Sequence, residues 1–391
     1  MLTNQTRWSL GHGNPLVPSR WHATARYRWS TASGFWAHAH QRWASRPGRR
    51  YVHRVGTATD RPLSVTYQGF PEGLTYVLPY LLDRQRAVAG PVTVSDQPPL
   101  PWRELRRRAA AADGETDILV TGCSASRANT LLVRRSLLLP FRVRLLLDVE
   151  PNLDAMLARV SGDERRQFHK LCSRHDWRLE TGGEVSDLDF FYRRIHQPTM
   201  SARHGEVARS ADWPTALWCL FRNGVLLFVT EGGKRVAGAL CRLDDGGATL
   251  RMRLLGVLDG DREHYRSGAF KAVYFLTLDW AVHHGVRLLD FSGQDPFPGQ
   301  GVFQFKRRFH PTVVLPADHY GGRRVLLRIL RDTAPVRDLL AATPMFVLDP
   351  DGQLAAVRFV DRTHSQRSNI RVMSPGIRDN HTIDLDEFFD L

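Results

Sequence analysis

Asp290-Phe291-Ser292-Gly293, followed by Phe303-Gln304-Phe305-Lys306-Arg307-Arg308-Phe309, closes a segment that runs from Gly256 to Phe309. The second run holds a lysine in a chain that otherwise avoids lysine. Lys170, Lys234, Lys271 and Lys306 are the only ones among 54 Lys+Arg residues. Where a positive charge alone is wanted, this chain uses arginine. A lysine between Phe305 and two arginines therefore suggests a compact, directional ammonium donor rather than a planar fork. The competing reading is a solvated basic turn whose phenylalanines pack in the core.

Working outward, the pattern before Lys306 predicts three strands, Val225 to Glu231, Arg235 to Leu243 and Ala248 to Gly256. They are joined by Glu231-Gly232-Gly233-Lys234 and Asp244-Asp245-Gly246-Gly247, both strong hairpin signals. A long helix, Gly268 to His284, follows and is stopped by Gly285, and Val286 to Phe291 reads as the next strand. Upstream lie a basic helix, Arg165 to His175, a strand from Trp177 to Thr181, and helices from Ser186 to about His196 and from Trp213 to Arg222. In the first half, Arg61 to Gln68 and Leu74 to Tyr80 read as strands, and Ser95 to Pro101 leads into a helix from about Trp102 to Ala112. Asp117 to Gly122 and Val143 to Val149 read as buried strands, with a helix from Pro151 to Arg159 capped near Asn152 or Asp154. This alternation predicts α/β architecture.

Three antiparallel strands, a helix and a further strand is the core order of the GNAT acyltransferase fold. Residues from about 145 to 315 resemble the catalytic half of Fem-type peptidyltransferases and their acyltransferase relatives in that superfamily. The matching pieces are Arg165-Arg166-Gln167-Phe168-His169-Lys170, Asp189-Phe190-Phe191-Tyr192, Val236-Ala237-Gly238-Ala239-Leu240, the helix and strand from Leu276 to Phe291, and Phe305-Lys306-Arg307-Arg308-Phe309. The resemblance implies an α/β (α+β) fold of tandem GNAT-like mixed sheets flanked by helices, the C-terminal unit the better defined. On that reading residues 1–56 form a basic arm, 57–160 a degenerate first unit, 161–345 the catalytic unit, and 346–391 C-terminal strands and an acidic tail. The arm and the segment from Phe346 onward lie outside the resemblance.

By the same resemblance Lys306 stabilises the developing oxyanion or the leaving group of an acyl transfer. Asp290 and Asp295 are the nearest acids that could take a proton from the attacking amine, although Asp290 reads equally well as a strand-end residue satisfying backbone donors. Coenzyme A users carry a glycine-rich loop at the start of the long helix, whose amides hold pyrophosphate. Here His264-Tyr265-Arg266-Ser267-Gly268-Ala269-Phe270-Lys271 has one glycine and not that spacing. Fem-type enzymes lack the loop and take an aminoacyl group from charged tRNA. The donor side is assigned to Arg266, Ser267, Gly268 and Phe305, and phosphate contacts on the acceptor side to Arg165, Arg166 and Lys170. The expected activity joins an activated aminoacyl group, from charged tRNA, to an amine-bearing small molecule or peptide through an amide or ester. An acyl thioester of coenzyme A or of a carrier protein is the alternative donor. No tightly bound cofactor and no metal is expected, since no His/Cys/carboxylate cluster has ligand spacing.

A net charge of +14 calls for an anionic partner. No acid precedes Asp60, while that stretch carries Arg7, Arg20, Arg26, Arg28, Arg42, Arg46, Arg49, Arg50 and Arg54 with Trp8, Trp21, Trp29, Trp36 and Trp43. Arginine interleaved with aromatics suits RNA; an arm packing its tryptophans on the body reads as well. A non-catalytic RNA-binding module on a GNAT scaffold is thus a reading of a different class. Cys123, Cys172, Cys219 and Cys241 form no C-x-x-C pair, no apolar run reaches ~20 residues, and Met1 to Arg20 lacks a signal-peptide pattern, so a reducing cytoplasm is the expected home. Gln353 to Val360 and Asn369 to Met373 read as strands, and the acidic end around Phe388-Phe389 as an unordered tail.

Overall fold

The computed structural model describes residues 20–46, 48–111, 116–204, 210–364 and 370–390. Arg7, Trp8 and Asn369 lie outside them. Sixteen strands are seen among these residues: β1 Arg50–Ala58, β2 Leu63–Gly69, β3 Val92–Pro101, β4 Ile118–Ser124, β5 Ser136–Pro140, β6 Val143–Asp148, β7 Arg178–Gly182, β8 Gly224–Glu231, β9 Lys234–Asp244, β10 Thr249–Val257, β11 Leu288–Gln294, β12 Thr312–Val314, β13 Arg323–Ile329, β14 Met345–Leu348, β15 Leu354–Val360 and β16 Asn380–Asp384. They form three sheets flanked by helices, the mixed α/β class expected from the sequence.

The site is carried by the seven-stranded sheet, ordered β12-β6-β11-β10-β9-β8-β7. The β8–β9 hairpin closes on Gly232 and Gly233, both at positive φ, as a two-residue hairpin turn demands. From β10 the chain crosses through the helix Ala269–His283, whose Ala272, Phe275, Leu278 and Ala281 are buried against the sheet. Gly285, at φ 66°, ends it. β11 then returns parallel to β10, but only over Thr249↔Leu288, Leu250↔Leu289 and Arg251↔Asp290. Beyond Asp290 the two strands part, while on its other edge β11 pairs with β6 both before and after a bulge between Asp290 and Gly293. β10 carries its own irregularity at Arg253, between the pairs Met252↔Cys241 and Leu254↔Leu240. A bulge re-aims a side chain and loosens the ladder, so the sheet opens where these two bulges face one another.

The six-stranded sheet runs β3-β1-β2-β4-β13-β5. Strands are exchanged between the halves of the chain: β6 lies in the seven-stranded sheet, and β13 lies between β4 and β5 in the six-stranded one. The third sheet, β14-β15-β16, stands between the two cores. Met345, Val347, Ala355, Val357 and Phe359 face the core of the six-stranded sheet. Phe346, Leu348, Leu354 and Ala356 face that of the seven-stranded sheet. Strands buried on both faces need apolar residues at every position, and β14 and the first half of β15 have them.

Three expectations are corrected. Leu74 to Tyr80 is helical, in the helices Gly73–Tyr76 and Leu78–Ala89, because Leu78, Leu81, Leu82, Gln85 and Ala89 bury one helical face and Pro79 occupies a first-turn position. The described part of the second tail strand, residues 370–373, is not a strand; Arg358 and Gln304 bond its carbonyls at Ile370 and Arg371. The acidic end is ordered: β16 pairs with β15, and the helix Leu385–Asp390 buries Leu385, Phe388 and Phe389 in the core of the six-stranded sheet.

The arm folds as two helices, Arg20–Thr31 and Phe35–Ala44, and β1 begins inside the segment read as arm. These helices bury Ala23, Tyr27, Ala37, His40 and Ala44, and the half-buried Trp29 joins them through ring contacts with Trp36, His40 and Trp43. Trp21 stays 83% exposed, and Phe35, Trp36 and Trp43 are exposed too. Among the described residues no helix is long and apolar enough to cross a membrane.

Candidate active site

Lys306 ends the short helix Gly301–Lys306, which Phe303 and the following Phe309, both fully buried, pin to the core. The lysine itself is 7% exposed, and its Nζ donates to the Phe291 carbonyl at 2.7 Å. Burial pushes its pKa down to about 8; Asp290 opposes that shift, Arg142 adds to it, and Asp295 opposes it. An ammonium in this range is protonated at neutral pH yet can release its proton.

Two cavities meet at this lysine. The larger, of about 900 Å³, is lined by Arg26, Arg142, Arg203 and Arg253, with Ser292 and Gly293 where β10 and β11 part. The smaller, of about 410 Å³, lies beside the start of the helix Ala269–His283 and is lined chiefly by Leu171, Tyr265, Gly268, Phe270, Val302 and Phe305. Lys306, Arg203 and Phe270 line both. Gly268 sits at φ 94°, and a Cβ there would stand 2.7 Å from Leu171 Cδ1, so only glycine fits.

Of the residues assigned to the donor, Arg266, Gly268 and Phe305 line the smaller cavity; Ser267 does not, its hydroxyl donating to the His264 carbonyl at 3.2 Å. Arg165, Arg166 and Lys170 line neither cavity. In the helix Gly162–His175 Glu164 and Phe168 are buried, Gln167 and Leu171 line the smaller cavity, and Arg166 pairs locally with the exposed Asp163.

Asp290 is committed elsewhere. Fully buried, it accepts from the Ser292 amide at 2.7 Å and from Arg251 Nε at 2.9 Å, and Arg144 lies 3.2 Å away. With Asp244 against Arg251 and Asp318 against Arg144, a chain of alternating charges, Asp244–Arg251–Asp290–Arg144–Asp318, runs beneath the opening. It holds the parted strands in register and leaves Asp290 poorly placed as a proton acceptor. Asp295 accepts from Gln300 at 3.2 Å and lies 4.0 Å from Arg142. It orients that arginine and does not line either cavity. Among the described residues no group of His, Cys, Asp or Glu is arranged to hold a metal.

Sequence reasoning missed Arg142, Arg203 and Arg253. The detectable signal was Arg251-Met252-Arg253, two arginines inside a strand otherwise read as core. Which of them sits at a bulge is set by pairing with β9, a long-range property.

The state of Lys306 is measurable. Its folded value lies below the ordinary 10.5, so between about 8 and that value the unfolded chain binds a proton that the native chain does not. Stability contributed by this site therefore rises with pH across that window, by roughly 3 kcal/mol in all. With only four lysines, NMR of protein carrying 13Cε-lysine should show one signal titrating near pH 8. The stability difference between wild type and Lys306→Met should change in parallel. Four signals all titrating above pH 10 would refute the assignment.

No protein-family model matches this chain, and no curated protein matches it. Among solved structures it is similar to FemX, at 11% identity over 80% of this chain and 96% of that one, with a TM-score of 0.37. It is also similar to L-PGS from Bacillus licheniformis, at 10% identity over 76% and 87%, TM-score 0.34. A GCN5-related N-acetyltransferase from Kribbella flavida aligns at 16% identity over 76% and 94%, TM-score 0.28. Likenesses this distant carry no argument about chemistry, which rests on the geometry above.

Proposed function

We propose that the protein is an acyltransferase that moves an aminoacyl group, donated by charged tRNA, onto an amine-bearing small molecule or peptide. The observation that carries this reading is the meeting of two cavities at one buried lysine where the central strands part. In such a transfer the neutral amine nitrogen attacks the ester carbonyl, the carbonyl carbon–oxygen bond to the ribose breaks, and the amine's proton leaves. Lys306, protonated at neutral pH, would donate to the carbonyl oxygen as charge builds and then to the departing ribose oxygen. It would be reprotonated by the proton the amine gives up. The aminoacyl end would lie in the smaller cavity, beside Arg266, Gly268 and Phe305, and the arginine-lined larger cavity would take the acceptor; the net charge of +14 supports a polyanionic donor.

A second reading has its own support. The smaller cavity abuts the uncapped N-terminus of the helix Ala269–His283, which has no acid in its first turn and suits the phosphates of a coenzyme A thioester. Incubation with labelled aminoacyl-tRNA pools, and in parallel with labelled acyl-CoA mixtures, in the presence of cell-extract acceptors, separates the two. We expect label to leave the RNA and appear in a small product. Transfer from the thioester alone would replace the tRNA reading with the second. Transfer from neither would remove both and favour a binding protein.

A further inference from the structure

The larger cavity continues into a niche of about 160 Å³, with which it shares Ser30, Tyr76, Arg142, Arg253 and Gly293. Thr31, Arg144, Asp318, His319 and Tyr320 complete the polar part of that niche. We infer that the niche is a subsite for a phosphate group of the acceptor, gripped by Arg142 and Arg253. Only the word acceptor rests on the transferase reading.

Two guanidiniums here have no close carboxylate. In the larger cavity the lone lining carboxylate, Asp212, is held by Arg26 and by the Thr215 amide at 3.0 Å. In the niche, Asp318 spends one oxygen on Arg144 at 3.1 Å and the other on the Tyr320 amide at 3.0 Å. Arg253 has no carboxylate partner among the described residues, and the nearest one to Arg142 stands at 4.0 Å. The Nε atoms of both are buried without a hydrogen-bond partner. Buried guanidinium N–H groups left without an acceptor are costly.

The arrangement is also built rather than incidental. The Arg142 guanidinium is stacked 4.0 Å over the Tyr76 ring and 5.5 Å from that of Tyr320, which fixes its plane. A Cβ on Gly293 would lie 2.7 Å from its Cζ, so the glycine makes its room. Arg253 is aimed by the β10 bulge. Arg144 is taken up by Asp290 and Asp318, which leaves Arg142, with Asp295 no nearer than 4.0 Å, and Arg253 to meet an anionic group. Planar forks suit the tetrahedral oxygens of a phosphate.

The test is binding, so it stands apart from any transfer assay. Inorganic phosphate is titrated into the full chain at constant ionic strength and followed by calorimetry and by 31P NMR. We expect saturable binding that weakens at least tenfold in Arg142→Gln and in Arg253→Gln and is unchanged in Arg178→Gln, an exposed arginine paired with Asp176. Should either glutamine variant fail to fold, Arg253→Lys, which keeps charge but loses the fork, should weaken binding severalfold. Absence of saturation at tens of millimolar phosphate, or affinity indifferent to both arginines, overturns the inference. Glycerol phosphate and vesicles of anionic or neutral phospholipid then identify the source. Competition by the soluble ester assigns a soluble phosphorylated acceptor. Arginine-dependent binding to anionic vesicles alone assigns a lipid headgroup. Failure of phosphate binding would leave the transfer results standing, and failure of transfer would leave phosphate binding standing.

Discussion

Lys306→Arg should cost transfer at least about 100-fold although the charge is kept, the scale on which a preorganised donor to a developing oxyanion acts. Three features of the site compound the effect. The guanidinium cannot give up its proton, so it can serve neither as a proton source for the leaving oxygen nor as its recipient afterwards. It is bulkier than the ammonium in a position 7% exposed. And it would face Arg142, whose charge already works against the protonated lysine. At all but three other basic positions this chain uses arginine, so near-normal turnover by a folded Lys306→Arg protein, checked by circular dichroism and melting with whichever donor supports transfer, would reduce Lys306 to a structural cation. Lys306→Met should be as inactive, yet no less stable at neutral pH, since it removes a buried charge while sacrificing one bond to the Phe291 carbonyl.

Removing the residues after Gly376 should unfold the protein. The sequence alone reads this end as an unordered acidic tail whose loss is harmless. In the structure the cut deletes β16 and its ladder with β15, and Leu385, Phe388 and Phe389 with it. Emptying a buried phenylalanine site costs about 3–5 kcal/mol, and a leucine site about 2–5. Two phenylalanines and a leucine together match or exceed the roughly 5–15 kcal/mol that holds a typical domain. The truncated chain should be insoluble, or should melt tens of degrees lower and be cut rapidly by protease. Melting within a few degrees of wild type would mean that the terminal helix contributes nothing to the core.

What the sequence made legible was local. The Gly232-Gly233 turn, the apolar helix before Gly285 and the strand after it follow from short-range rules, and so does the open α/β sheet they build. The rarity of lysine singled out Lys306, the residue where the two cavities meet. What stayed hidden depends on partners far away in the chain. Leu74 to Tyr80 was misread because a run of mixed apolar residues fits both periods over so short a span. Asp290 looked available because nothing local reveals that Arg251 and Arg144 claim it. Arg142 and Arg253 are ordinary members of an arginine-rich chain until β6, β10 and β11 are put side by side. The acidic residues of the tail hid a pair of phenylalanines that had a core to fill.

The third sheet, with a core on either side of it, has a consequence for how the protein is made. While the chain is being synthesised, β4 and β5 wait for β13, which begins 187 residues after β5 does, and both cores wait for β14 and β15. Neither half can finish first. Separations of this length slow the search for native pairings; until β13 emerges β4 offers an open strand edge, and until β14 and β15 emerge both cores lie uncovered on one side. The nascent protein should thus lean on whatever shields unfinished chains in the cell. Dividing the gene near residue 160 to express two units would not give two folded pieces, but it could give a pair that folds only when both are present together.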